Sequence, residues 1–225
     1  MKRGKKYKAI AEKVEKNKLY TASEAFALVK EGKVAKFDES VEAHIKLGVD
    51  TKKGDQQVRG AVVLPHGIGR KTRIAVVTST KAKEAKEAGA DIVGAEDLIE
   101  KIKLGKFDGF DVLVATPEMM PKLAPVAKIL GPRGLMPSPK TETVTDKIKE
   151  TVEMLKKGKL SFKNDTAGVV HQVIGKFSFD AKKLEENYAA FIEAVNKAKP
   201  TGVKGKYMIS VSVCSTMGPG VKVSL

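Results

Sequence analysis

Tryptophan is absent from this 225-residue chain, and aromatic residues make up only 5% of it. A surface that captures bases by stacking them on many rings is therefore excluded. A single cysteine, Cys214, rules out an internal disulfide and fits a reducing compartment. His44, His66 and His171 stand far apart, with no second Cys or His at ligand spacing, so no metal is expected. No Gly-x-Ser-x-Gly elbow occurs, and no acidic pair stands apart from solvated helix faces. No catalytic residue and no cofactor are therefore expected. No apolar run approaches the length of a membrane span, and the basic N-terminus leads into no apolar secretory segment.

The chain does have an apolar fraction of 42%, enough for real cores, and a surplus of base. Lys and Arg number 42 against 27 Asp and Glu, a formal charge of +15. That excess points to a polyanionic partner, nucleic acid before a membrane surface.

Read in order, Met1–Lys18 is a basic amphipathic helix with Ile10 and Val14 a turn apart. Thr21-Ala22-Ser23-Glu24 is a capping box, and its helix runs to about Glu31, where Gly32 stops it. Val41, Ala43, Ile45, Leu47 and Val49 alternate with Glu42, His44 and Lys46, predicting a strand with one wet face. Residues 60–64 form a second strand, and Pro65–Gly69 breaks the pattern. Strands at 72–78, 91–93 and 111–115 then alternate with helices at 81–88, 96–104 and 117–130, the signature of a small parallel sheet. A further helix spans 145–157. Antiparallel strands return at 160–163 and 169–179, followed by a helix capped by Asp180 and a last strand from Tyr207.

The fold expected is α/β with two domains. Residues 1–66 and 159–225 form a discontinuous α+β domain, an antiparallel sheet with helices built from both termini. Residues 67–158 form an inserted Rossmann-like, three-layer parallel α/β domain. The outer segments carry 25 basic and 14 acidic residues, the middle 17 and 13, so the outer domain is the better polyanion binder.

Two glycine-rich stretches deserve weighing as phosphate sites. Gly67-Ile68-Gly69-Arg70-Lys71-Thr72 precedes a strand rather than opening a helix, so a basic hinge is the better reading. Gly131-Pro132-Arg133-Gly134 reads first as a rigid structural turn ending a helix; the functional alternative makes Arg133 and Lys140 auxiliary phosphate contacts.

In the last strand Tyr207, Ile209, Val211 and Val213 should face a core, leaving Ser210, Ser212 and Cys214 on a low polar face. It runs into Ser215-Thr216-Met217-Gly218-Pro219-Gly220, a stretch neither helix nor strand would tolerate. An edge strand ending in a turn is the plainer reading. If this strand neighbours Ser40–Lys46, however, the two make one flat surface of small donors and acceptors. Such a surface suits the wide minor groove of RNA, whose 2′-hydroxyls distinguish it from DNA. Phe37 serves equally as a core residue at the strand entrance or as a stacking platform.

Three separated runs, Lys36–Glu42, Ile129–Pro137 and Ser215–Pro219, resemble the bacterial large-subunit ribosomal protein L-one family. Val58-Arg59-Gly60, Leu64–Gly67 and Phe162–Asp165 extend the resemblance over essentially the whole chain. It implies a non-enzymatic, two-domain, cytoplasmic ribosomal protein, monomeric when free of the ribosome and without a membrane partner. Its partners would be the stalk region of large-subunit rRNA near the tRNA exit site, exit-site tRNA, whose deacylated form it helps to move and release, and its own operon mRNA, which it represses. Carried over by position, the RNA-binding residues are Lys36, Phe37, Ser40, Glu42, His171, Ser210, Thr216, Met217 and Gly218. Cys214 and Ser215 stand where family members often have threonine.

Overall fold

The structure, a computed structural model, describes residues 4–15, 18–105 and 109–224. Part of the expected first helix lies outside these residues; the described part is α1 (Lys5–Ala11). The capping box forms as expected: Thr21 Oγ1 accepts the Glu24 N–H and the Glu24 carboxylate accepts the Thr21 N–H, starting α2 (Ala22–Glu31). Next come β1 (Ser40–Leu47), with every second residue buried, and β2 (Arg59–Val63). Residues 67–72 then lead into β3 (Ile74–Val77), not a helix. The alternating stretch follows as α3 (Ala82–Glu87), β4 (Ile92–Gly94), α4 (Glu96–Lys103) and β5 (Val112–Ala115).

The helix expected over 117–130 is broken instead into short turns. Pro117, Pro121 and Pro125 each lack an N–H, and each starts a new turn, alternately 3₁₀ and α, including α5 (Met120–Leu123) and α6 (Ala127–Leu130). The helix expected from Thr145 begins later, as α7 (Ile148–Lys156), because Thr145 N–H donates to Ala115 O and Thr145 Oγ1 accepts the Lys147 N–H. The chain ends with β6 (Lys159–Lys163), β7 (Val169–Lys176), α8 (Ala181–Lys197), β8 (Met208–Ser215) and β9 (Val221–Val223). Asp180 occupies the N-cap of α8 but makes no side-chain cap bond. β7 stops at Lys176, short of Phe179, because Phe177 and Ser178 turn to bond Glu39 and Asp38. The short β9 went unforeseen.

The chain divides into two compact units, Met1–Gly69 with Leu160–Leu225, and Arg70–Lys159. The second holds a parallel sheet in the order β4-β3-β5. Ala75, Val77, Leu113 and Ala115 pack on one face with α4 and the proline-led turns, while Ile74, Val76 and Val114 pack on the other with α3 and α7. Helices on both faces are what all-parallel sheets require.

The first unit is built on a four-stranded antiparallel sheet in the order β7-β1-β8-β9. β2 and β6 form a separate two-stranded sheet, so β6 and β7 are not a continuous hairpin ladder. One core fills the space between the larger sheet, α2 and α8. In it the Phe26 and Tyr188 rings meet edge to face at 5.6 Å, and Phe162 and Phe191 at 5.8 Å. Within this core the fully buried Asn187 satisfies three backbone groups. Its Oδ1 accepts the His66 N–H, and its Nδ2 donates to Gly67 O and Ile174 O. Asn187→Ala would strand all three, and buried polar groups left without partners cost about 1–3 kcal/mol each. We expect a loss of about 2–4 kcal/mol in urea unfolding; an unchanged midpoint would show that these bonds carry no stability.

Candidate nucleic-acid interface

β1 and β8 are neighbours, as the flat-surface reading required. Glu42 lies opposite Cys214, His44 opposite Ser212 and Lys46 opposite Ser210. Opposed residues in an antiparallel pair share a face, so these six side chains form one polar surface above the buried Val41, Ala43 and Ile45. On its other side β1 meets β7, where His44 lies opposite His171 and Ser40 opposite Lys176, whose Nζ donates to Ser40 Oγ at 3.0 Å. The expected inward position of Ile209 is wrong. The register slips between Lys46 and Leu47, which oppose Ser210 and Met208, so Ile209 is an extra, bulged residue and stands 49% exposed.

At the end of this face two irregular loops, 33–38 and 216–220, are held by Glu39. Its side chain is fully buried. Oε1 accepts the N–H groups of Val34 at 3.1 Å and Ala35 at 2.8 Å, and Oε2 accepts the Met217 N–H at 3.1 Å. Burial alone would raise this carboxyl. The donors from Ala35, the Ser215 hydroxyl, Met217 and Val34 outweigh it and hold the group below its ordinary value. Thr216 adds a clasp: its Oγ1 accepts the Ser40 N–H at 3.0 Å and donates to Ser40 O at 3.2 Å. The hydroxyl expected to meet RNA is thus first a structural clasp, with one lone pair to spare. Asp38 fixes the other loop by accepting from Ser178 N and Oγ.

So held, the loops project Phe37 (55% exposed) and Met217 (50% exposed), and Lys36 stands in solvent beside them. Exposure removes the core reading of Phe37. Gly218 is needed for close approach: a Cβ there would sit 2.5 Å from Ser215 Oγ, the hydroxyl that bonds Glu39.

Further along the face, His44 Nδ1 and His171 Nδ1 stand 2.8 Å apart, His44 Nε2 is 3.2 Å from Cys214 Sγ, and His171 Nε2 is 3.4 Å from Asp165 Oδ2. Burial first, then His171, pushes the His44 imidazole below its ordinary value, against the opposing pull of Glu42. Burial and Glu42 push the Cys214 thiol up to about 11, so it is a thiol and not a nucleophile at neutral pH. Among the described residues no group of three or more His, Cys, Asp or Glu side chains is placed to hold a metal.

Of the residues singled out from sequence, Lys36, Phe37, Ser40, Glu42, His171, Ser210, Thr216, Met217 and Gly218 all fall on this face or its two loops. Arg133 and Lys140 belong to the other unit, where Gly131–Gly134 closes α6 through the Leu135 N–H to Leu130 O bond. Sequence reading missed Glu39, a carboxylate that no local pattern marks as buried, and Asp165. The one available signal for Asp165 was its Asn-Asp turn: Oδ1 accepts the Ala167 and Val169 N–H groups.

Glu39→Gln sets an amide N–H against the Met217 N–H, and we expect a loss of about 1–3 kcal/mol at neutral pH. The folded carboxyl titrates below the unfolded one, so its stabilisation is complete above about 4.5 and is lost as pH falls through the folded value. Denaturation midpoints of wild type and variant should therefore converge on acidification below that point. A constant gap would show that the charge is not what holds the loops.

Comparison with known proteins agrees with the motifs. Residues 29–219 match the family described as Ribosomal protein L1p/L10e. The chain is 51% identical over 219 residues to the large ribosomal subunit protein uL1 of Mycoplasma capricolum, covering 97% of each. The chain belongs to the ribosomal protein L1p/L10e family.

Proposed function

We propose that this chain is a structural constituent of the large ribosomal subunit and binds the stalk region of large-subunit rRNA near the tRNA exit site through the β1–β8 face. The observation that carries this reading is the Glu39 clasp, which fixes exposed Phe37 and Met217 beside a low polar strand face. A flat face of hydroxyls, a carboxylate and imidazoles fits the shallow minor groove of RNA, where 2′-hydroxyls donate and accept. Phe37 and Met217 offer apolar contact to splayed bases, and the lysines that give the chain its net +15 supply the salt-dependent attraction. The same surface, presented with the same shape, serves repression of the chain's own operon mRNA. The relative's name and the family support the ribosomal assignment. Movement and release of deacylated tRNA at the exit site belong to the same reading, as does a monomeric state away from the ribosome. No helix among the described residues is long and apolar enough to cross a membrane, and no catalytic role is proposed.

Filter binding to a stalk fragment of large-subunit rRNA, in excess duplex DNA, tests the face. A base–aromatic stack is worth about 1–3 kcal/mol, so Phe37→Ala should weaken binding by roughly 5- to 150-fold, and Met217→Asp by at least as much. Both positions are exposed, so melting should stay near wild type. Arg133→Ala and Lys140→Ala should change affinity by no more than about threefold each, as single phosphate contacts do at moderate salt. Full affinity in the first two variants would place the site elsewhere.

A further inference from the structure

The four groups Asp165, His171, His44 and Cys214 lie in series across three strands, and their geometry fixes the direction of every proton between them. Asp165 Oδ1 is occupied by the Ala167 and Val169 N–H groups, and Oδ2 faces His171 Nε2. A carboxylate accepts only, so that nitrogen carries hydrogen. A neutral His171 then presents a bare Nδ1 to His44 Nδ1, 2.8 Å away, which must donate. His44 is left with a bare Nε2 facing Cys214 Sγ at 3.2 Å, and the thiol fills it. All three hydrogens point one way, from β8 through β1 to the turn before β7.

Two imidazoles joined Nδ1 to Nδ1 hold at most one extra proton, because two N–H groups cannot face each other at 2.8 Å. That proton, taken from solvent, enters at His44 Nε2. The ring now donates toward Cys214 Sγ, with the Glu42 carboxylate 4.0 Å away, and the thiol hydrogen is turned out of the relay toward the open face. One proton thus adds a positive charge and a free donor at the middle of the surface.

We propose that Asp165, His171, His44 and Cys214 act as one directional relay that sets the donor and acceptor pattern of the RNA face and takes up a single proton when RNA binds. The proposal rests on the reading of this face as the RNA surface. Asp165 and His171 are positioning residues for His44 and Cys214. The charged groups that face the relay are Glu42 and Lys46 on β1, Asp165 before β7, Lys176 on β7, and Lys222 on β9 opposite Ser212. Lys46 Nζ is engaged by Ala167 O and Lys176 Nζ by Ser40 Oγ, so neither displaces Asp165 or Glu42 from the imidazoles. Burial and the neighbouring His171 disfavour the extra proton on His44 in the free protein, and an RNA phosphate field favours it.

The sign follows from linkage. If the complex holds more protons than the free partners, affinity rises as pH falls, by at most about tenfold per pH unit for one proton. Between pH 7.5 and 5.5, at fixed salt, binding of the full chain to the stalk RNA fragment should tighten by roughly tenfold in total. Long-range proton–nitrogen spectra of the free protein, which has only three histidines, read the tautomers without RNA. His44 should be the Nδ1–H form and His171 the Nε2–H form. Asp165→Asn keeps an acceptor for the turn amides but aims an N–H at His171, so both tautomers should invert and the pH dependence of affinity should flatten. Different tautomers in the wild type, or no inversion in the variant, would overturn the relay whatever RNA does. The assigned tautomers with pH-independent affinity would overturn the proton coupling alone. Failure of the wild type to bind the fragment at any pH would overturn the RNA reading, and the coupling with it, while leaving the tautomers to stand.

Discussion

A carboxylate removed from water must find donors, and Glu39 finds them both in the loop just before it and at Met217, 178 residues further along the chain. The Val34 and Ala35 amides come from the loop before β1, and the Met217 amide from the loop after β8. Neither loop has regular structure to hold it. Each would otherwise sample many conformations, and ordering a residue costs about 1–2 kcal/mol of backbone entropy. By bonding both to one buried oxygen pair, the fold meets that entropy before any partner arrives. Phe37, Met217 and the Thr216 clasp are therefore preorganised as a group, which is what converts surface contact into affinity.

The clasp works because of the sheet order. β1, from the early part of the chain, sits between β7 and β8, from its end. The face is thereby assembled from three remote stretches, and no local segment carries it alone. The core beneath is one cluster spanning α2, α8 and the sheet, so the register that places His44 opposite both His171 and Ser212 is set by burial of Val41, Ala43, Ile45 and Leu47. A one-residue slip would bury Glu42 and His44 and expose that apolar set.

Much of this was legible in the sequence where a signal was local and repeated. The alternation in 41–47, the capping box at Thr21 and the parallel strands at 74–77, 92–94 and 112–115 each follow from a period or a cap that tertiary structure had no reason to override. Ile209 was not legible. It continues the apolar alternation of its strand, yet a single bulged residue moves it to the surface, and a bulge leaves no mark on the pattern. Three prolines at four-residue spacing did mark the broken stretch 117–130, and the apolar periodicity there masked them. Glu39 and the His44–His171 pair lay beyond any local signal, because burial of the one and meeting of the other depend on partners more than a hundred residues away. The separated motifs identified the family while leaving the work of individual side chains open; Ser215 is buried against Glu39, and Thr216 bonds Ser40 as well as facing solvent.

The oddest property of the proposed RNA surface is its acidity in a chain of net charge +15. Asp38, Glu39, Glu42 and Asp165 all lie on or beside it. Three of them, however, have turned their lone pairs inward: Asp38 to Ser178, Glu39 to three backbone amides, and Asp165 to two amides and His171. Their charge is met by N–H dipoles at close range, where those dipoles act most strongly, so little of it reaches a phosphate several ångströms out. The carboxylates are spent on fixing shape. Attraction to RNA is then left to lysines, whose effect salt screens over about 10 Å, whereas the shape fixed by short, partly buried bonds is screened far less. Affinity and selectivity thus rest on different residues: raising the salt weakens the hold on every polyanion alike, and leaves the preference for one folded RNA to the clasped loops and the strand face.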